Sequence, residues 1–255
     1  MNRTKIYFNP KVKLRNPVML VGLPGIGSVG SLVCEHIKNE LKAEKFATLY
    51  SPYLPHQVLM LKSGNMRLLN NRFYYWKNPS KDKDAKDIVI LLGDAQAVSS
   101  KGQYEISEMI VKFFKSIGGK EIFTIGGYSV SDKYIQNPKV YGVSPFSEIR
   151  KEFRQHGVIL GSTVGMIWGA AGLIVSFAKK HNVQSGCLLG ETGLLEVDAN
   201  SARSVLKVIT ELLGIKISTE NLEKIKKETE AMLARFEELA SAEQKPSTEN
   251  LTYIR

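Results

Sequence analysis

The chain of 255 residues is 43% hydrophobic, carries a net charge of +10 and contains two cysteines. That is enough apolar material for one sizeable core with appendages, and no apolar run is long enough to cross a bilayer. The amino terminus, Met1 to Pro10, has no apolar signal core, so the expectation is a cytoplasmic protein whose Cys34 and Cys187, in apolar settings without metal-ligand spacing, are reduced, buried thiols.

The positive charge is concentrated. Arg3, Lys5, Lys11, Lys13 and Arg15 come without an acid, and Lys62 to Lys86 set seven basic residues against Asp82 and Asp84. By charge alone, such patches suit an acidic protein surface or a phosphate backbone equally well. No nucleic-acid-binding motif accompanies them, and the aromatics of Arg72 to Lys77 read more simply as alternation around a hairpin. Nucleic acid is therefore the weaker expectation.

The first element is a continuous apolar run, Val18 to Val21, which reads as a strand covered on both faces. Gly25, Gly27 and Gly30 then fit G-x-G-x-x-G, and Leu32, Val33, His36, Ile37 and Leu41 recur at helical spacing. Such a loop permits a sharp turn, and the free N–H groups of the helix start favour an anion. It is equally what a crowded strand-to-helix turn needs for packing. The acidic residue expected about 20 positions on in a dinucleotide fold is absent after Phe46 to Tyr50, and no Gly-Lys-Ser/Thr follows the glycines. The packing turn is the favoured reading.

Short runs at Gln57 to Lys62, Met66 to Leu69 and Arg72 to Trp76, punctuated by Gly and Asn, predict an antiparallel meander. Asp87 to Asp94 predicts a buried strand that delivers Asp94 to its carboxyl end, where open α/β sheets place ligands. Gln96, Ser99, Ser100 and Gln103 extend a possible polar pocket there, although Asp at a strand exit more often caps a loop or helix. A helix is predicted over 103–117, a strand over 121–128, a helix over 145–155, an extended segment over 157–160 and an apolar helix over 163–181 with Gly165, Gly169 and Gly172 one turn apart. After the strand and loop of 187–198, Asp198 reads as the N-cap of a helix through Leu213 that Gly214 ends.

The alternation over residues 1–217 argues for a three-layer α/β/α core with a mixed sheet. His36, His56, His156 and His181 are scattered, with no G-x-S-x-G elbow and no His-x-x-x-His pair, and Glu191, Glu196 and Asp198 read as acids at a helix entrance. No reaction centre assembles, and no cofactor or metal site is read. A long helix is predicted for 218–243, with a seam of Leu222, Ile225, Thr229, Met232, Phe236 and Leu239 that can pack on the core or on another subunit. Residues 244–255 follow as a polar linker ending in Leu251-Thr-Tyr-Ile-Arg255, an apolar, carboxylate-terminated tip suited to docking in a partner's pocket.

Gly22-Leu-Pro-Gly-Ile-Gly-Ser-Val-Gly30, Gly126-Gly127, Gly161-Ser-Thr-Val-Gly165, Leu189-Gly-Glu-Thr-Gly193 and Asp198-Ala-Asn-Ser-Ala202, taken in order, resemble the archaeal branch of the proteasome assembly chaperone family. The resemblance implies a phosphorylase/hydrolase-like α/β fold without established catalysis, and homo-oligomers that bind the α-subunit ring of the proteasome core particle. It further implies a carboxyl-terminal tail of hydrophobic-tyrosine-any-residue type, inserted between α subunits so that a lysine pairs with the terminal carboxylate. Here Tyr253 stands third from the end rather than second. Either the tail binds one residue out of register, or Ile254 takes the place of the aromatic, with Leu251 and Arg255 flanking. The competing reading is an enzyme acting on a nucleoside or phosphorylated ligand at Gly25, Gly27 and Gly30, with Asp94 or Glu191 as acid or base.

Overall fold

A computed structural model describes residues 3–130, 134–161, 165–193, 197–220 and 223. Among the described residues there are eleven strands and five α-helices. The strands are β1 (Lys5–Phe8), β2 (Val18–Gly22), β3 (Glu44–Tyr50), β4 (Val58–Met60), β5 (Met66–Leu68), β6 (Asn71–Trp76), β7 (Ile88–Gly93), β8 (Glu121–Ser129), β9 (Val140–Val143), β10 (Ile159–Leu160) and β11 (Gln184–Thr192). The helices are α1 (Val29–Glu40), α2 (Ser100–Ser116), α3 (Ser147–Gln155), α4 (Ala170–Lys180) and α5 (Ala199–Leu213).

Nine strands form one mixed sheet in the order β1-β3-β6-β7-β2-β8-β11-β9-β10. Its centre, β7-β2-β8-β11, is parallel, and β6, β3 and β1 extend one side antiparallel. The central strands are buried on both faces, which is why Val18 to Val21 and Ile88 to Leu92 are unbroken apolar runs. One face carries α1, α3 and α5 over a core that includes Leu20, Ile37, Phe153 and Leu206. The other carries α2 and α4 over Met19, Phe73, Phe114 and Ile174. This is the expected three-layer α/β/α core.

The helix ends follow a common chemistry. Ser99 caps α2 by accepting from Gly102 N, and Asp198 caps α5 by accepting from Ser201 N. Past their last turns, α1, α2, α4 and α5 each reach a left-handed residue, respectively Lys42, Gly118, Asn182 and Gly214. Such a residue lets the chain reverse and satisfies the final carbonyls. After Gly214 the chain turns back across α1 and α5, where His36 Nε2 lies 2.5 Å from Ser218 O and Arg203 pairs with Glu223.

Two expectations are corrected. The meander does not form as one sheet: β4 and β5 pair only with each other, as a ribbon beside the main sheet, while β6 inserts between β3 and β7. The ribbon's base is drawn aside because Arg67 is bonded to Asp94. The helix predicted from Thr163 begins only at Ala170. Gly169, at φ +77°, breaks the helical path, and the Ala170 N–H is capped instead by Gln96 Oε1 at 2.9 Å. The amino-terminal basic segment contains an edge strand, β1, whose aromatic residues find partners in Tyr50 and Phe113. The aromatics of Arg72 to Lys77 alternate along one strand, with Phe73 and Tyr75 packing edge to face against Phe46.

The seam residues Leu222, Ile225, Thr229, Met232, Phe236 and Leu239, and the tail residues Leu251, Tyr253, Ile254 and Arg255, lie outside the described residues.

Candidate functional site

Because β2, β3, β7, β8 and β11 run the same way, their carboxyl ends share one end of the sheet, and the connecting loops collect there. The first of these is the glycine loop. After Gly22 the chain passes Leu23-Pro-Gly and makes a single 3-10 turn at Ile26–Ser28 before α1. The glycines of this loop have different reasons to be there. A Cβ on Gly22 would sit 2.6 Å from the Cys34 Cβ, and one on Gly30 would run into Ile125 O and lie 3.1 Å from its carbonyl carbon. Both hold α1 against the sheet. Gly27, at φ +61°, is wedged near Thr192 and Asp198, and its carbonyl accepts from Asp198 N at 2.8 Å. Gly25 has none of these constraints: its backbone is extended, and the nearest atom to a built Cβ is Leu23 O at 3.9 Å.

A cleft of about 520 Å³ opens beside this loop, at the ends of β2, β8 and β11. Its walls come from Gly25 and Ile26, from Gly126 to Tyr128, from Tyr141 to Val143 and from the segment Gly165–Gly169. Gln96 braces the rim, donating to Pro24 O at 2.7 Å and accepting from Ala170 N. Gln103 donates to Ala97 O at 2.8 Å. Among the described residues, no Asp, Glu, Lys, Arg, His or Cys lines the cleft.

Asp94 belongs to a different structure. Its carboxylate takes hydrogen bonds from Arg67 at 2.5 and 2.9 Å, from Arg72 at 2.9 Å and from Asn70 N at 2.9 Å. Burial pushes its pKa up, but the bonds from Arg67 and Asn70 N and the charge of Arg72 prevail and hold it below the usual carboxylate value. It is a clamp between the ribbon and β7. Glu191 likewise accepts from Lys139 N and from Tyr141 Oη. Of the predicted residues, Gly25, Gln96 and Gln103 reach the cleft, Gly27 and Gly30 are packed behind it, and Asp94 and Glu191 stand outside it.

The sequence reading missed Tyr128, Met166 and Trp168. Met166 is 80% and Trp168 83% exposed, an arrangement hidden by reading 163–181 as one buried helix. They belong to a wider pattern. Apart from Tyr7, Phe8 and Val143, every exposed large hydrophobic residue among the described residues lies on the loops, on the first two turns of α2 or on the β4–β5 ribbon at this same end. On the ribbon, Val58 faces Leu68 and Met60 faces Met66, all four turned to solvent, while Leu59 packs inward. Exposed apolar surface gathered in one place marks an interaction site.

Residues 19–237 match the PAC2 family. The chain belongs to the PAC2 family. An uncharacterized protein of Methanocaldococcus jannaschii is 38% identical over 94% of this chain and 93% of its own. Among solved structures, that of Pyrococcus furiosus PbaB, an archaeal proteasome activator, is 36% identical, covers 93% of this chain and 100% of that one, and superposes with a TM-score of 0.87. The structure of Pyrococcus furiosus PbaA, an archaeal homolog of proteasome-assembly chaperone, is 25% identical over 95% of each chain with a TM-score of 0.76. The two solved structures share the mixed α/β fold described above, and no helix among the described residues is long and apolar enough to cross a membrane.

Proposed function

We propose that this PAC2 protein is a non-enzymatic chaperone or adaptor of the proteasome, binding the α-subunit ring of the core particle through its carboxyl-terminal tail. The observation that carries the reading is the likeness to the proteasome activator PbaB over the whole of that chain. Two features support it. The chain closes in Leu251-Thr-Tyr-Ile-Arg255 after a polar stretch, and the core presents its apolar surface at one end. Several tails displayed by a homo-oligomer raise one another's effective concentration, so individually weak contacts add to useful avidity. The seam Leu222, Ile225, Met232, Phe236 and Leu239 is proposed to contribute to that self-assembly.

The test is a pull-down of an archaeal proteasome core particle, or of its α subunits alone, by the full chain and by a chain ending at Asn250. Binding by the full chain and loss of at least about tenfold in affinity on truncation, with an unchanged melting temperature, supports the reading. Equal binding by both chains moves the contact to the globular surface, and binding by neither removes the proposal.

A further inference from the structure

We infer that the cleft beside the glycine loop is a binding site for an uncharged, planar nitrogen heterocycle of nucleobase type. The inference is independent of the tail and rests on the cleft alone.

Position comes first. The cleft lies outside the carboxyl ends of the neighbouring parallel strands β2, β8 and β11. Open α/β sheets place their ligands at such a crevice, and about 520 Å³ lies within the range of small-molecule sites.

Gly25 supplies the second observation. Of the four glycines between Gly22 and Gly30 it alone is demanded neither by conformation nor by packing, since its φ is −168° and a Cβ there would meet nothing nearer than 3.9 Å. Gly25 is itself one of the residues that line the cleft. The space left open by Gly25 is space that an occupant can use.

The lining sets the chemistry of that occupant. None of the described side chains on the wall is charged, so a phosphate or carboxylate would lose its water and find no counter-ion among the described residues. The walls are apolar and aromatic: Tyr128 and Tyr141 pack edge to face at 5.2 Å, and Trp168 stands at the mouth. Flat rings are what such walls receive best. Two polar atoms remain to orient the ring. The Gln103 amide is fixed by its bond to Ala97 O, which leaves its Oε1 as an acceptor, and the Tyr128 hydroxyl has no partner among the described residues. A heterocycle bearing both an N–H and a ring nitrogen or carbonyl complements this pair.

The experiment is calorimetric titration of the full-length protein with adenine and with adenosine, using adenosine monophosphate as the charged counterpart, and with Trp168 fluorescence as a second readout. Expected is saturable binding of the neutral compounds, with the monophosphate at least about tenfold weaker. Gly25→Leu should abolish binding while leaving the melting temperature within about 2 °C of the parent, and Gln103→Ala should weaken it several-fold. The inference is overturned if neither neutral compound binds up to millimolar concentration, if the monophosphate binds as well or better, or if binding survives Gly25→Leu.

Discussion

Replacing Gly30 by alanine tests whether the glycine loop is a packing device. The new Cβ would run into Ile125 O, and the obstacle is backbone on the central strand β8, not the movable end of a side chain. Overpacking of this kind costs about 1–3 kcal/mol, and a rigid neighbour places the cost near the top of that range. Against it stands a gain of up to about 1 kcal/mol for alanine over glycine in the first turn of α1. The net is a loss of roughly 2 kcal/mol, or a fall in melting temperature of about 4–8 °C for a chain of this size. Gly25→Ala meets no obstacle and should change stability by no more than about 0.5 kcal/mol. Thermal unfolding of the two variants, followed by circular dichroism, separates them. Coincident melting of Gly30→Ala and the parent, or an equal fall for Gly25→Ala, would refute the assignment of Gly30 to packing and Gly25 to open space.

Asp94→Ala removes the acceptor for two guanidinium groups and a backbone N–H; because both arginines keep about 30% of their side-chain surface in water, the expected cost is about 2–3 kcal/mol in urea unfolding at neutral pH. Asp94 is held below its ordinary pKa, so its contribution is present above the usual carboxylate range and is lost as pH falls through the lowered value. The variant should accordingly show a shallower acid limb. Glu108 joins α2 to α4, and hydrogen bonds from Lys180 and His181 push its pKa down to about 2. The melting temperatures of the parent and Glu108→Gln should therefore differ above about pH 4.5 and converge as pH approaches 2; a constant offset across that window would exclude the linkage. Cys34 and Cys187 are fully buried, and burial pushes both thiols up, Cys187 to about 11. Neither should react with a disulfide reagent in the native protein, and both should react in denaturant.

Much of this architecture was legible because one local cause decided each element. Unbroken apolar runs could only be strands covered on both faces, and Asp198 and Gly214 marked the ends of α5 through capping chemistry. Where the sequence reading failed, a distant partner was responsible. Nothing in residues 163–169 announces that Gln96, more than seventy positions earlier, caps the helix at Ala170 and leaves Trp168 outside. The ribbon was read as part of the sheet because its β propensity is genuine, and only the bond from Arg67 to Asp94 tells where it goes. The site was half visible for the same reason. Gly25, Gln96 and Gln103 lie in stretches that attract notice, but Asp94 has the composition of a ligand group and the surroundings of a clamp.

The left-handed reversals at Lys42, Gly118, Asn182 and Gly214 stand at the opposite end of the sheet from the cleft and the ribbon. Each closes a helix within a residue or two, with no slack, so spacing between layers is set there and an inserted residue would throw a helix out of step with its strand. At the other end the glycine loop is packed tightly, while the β4–β5 ribbon and the segment Gly165–Gly169 carry exposed side chains that pack on nothing behind them. Sequence drift has somewhere to go without disturbing the frame. In a lineage of such proteins, new specificities would be written at one end and the grammar of the fold kept at the other.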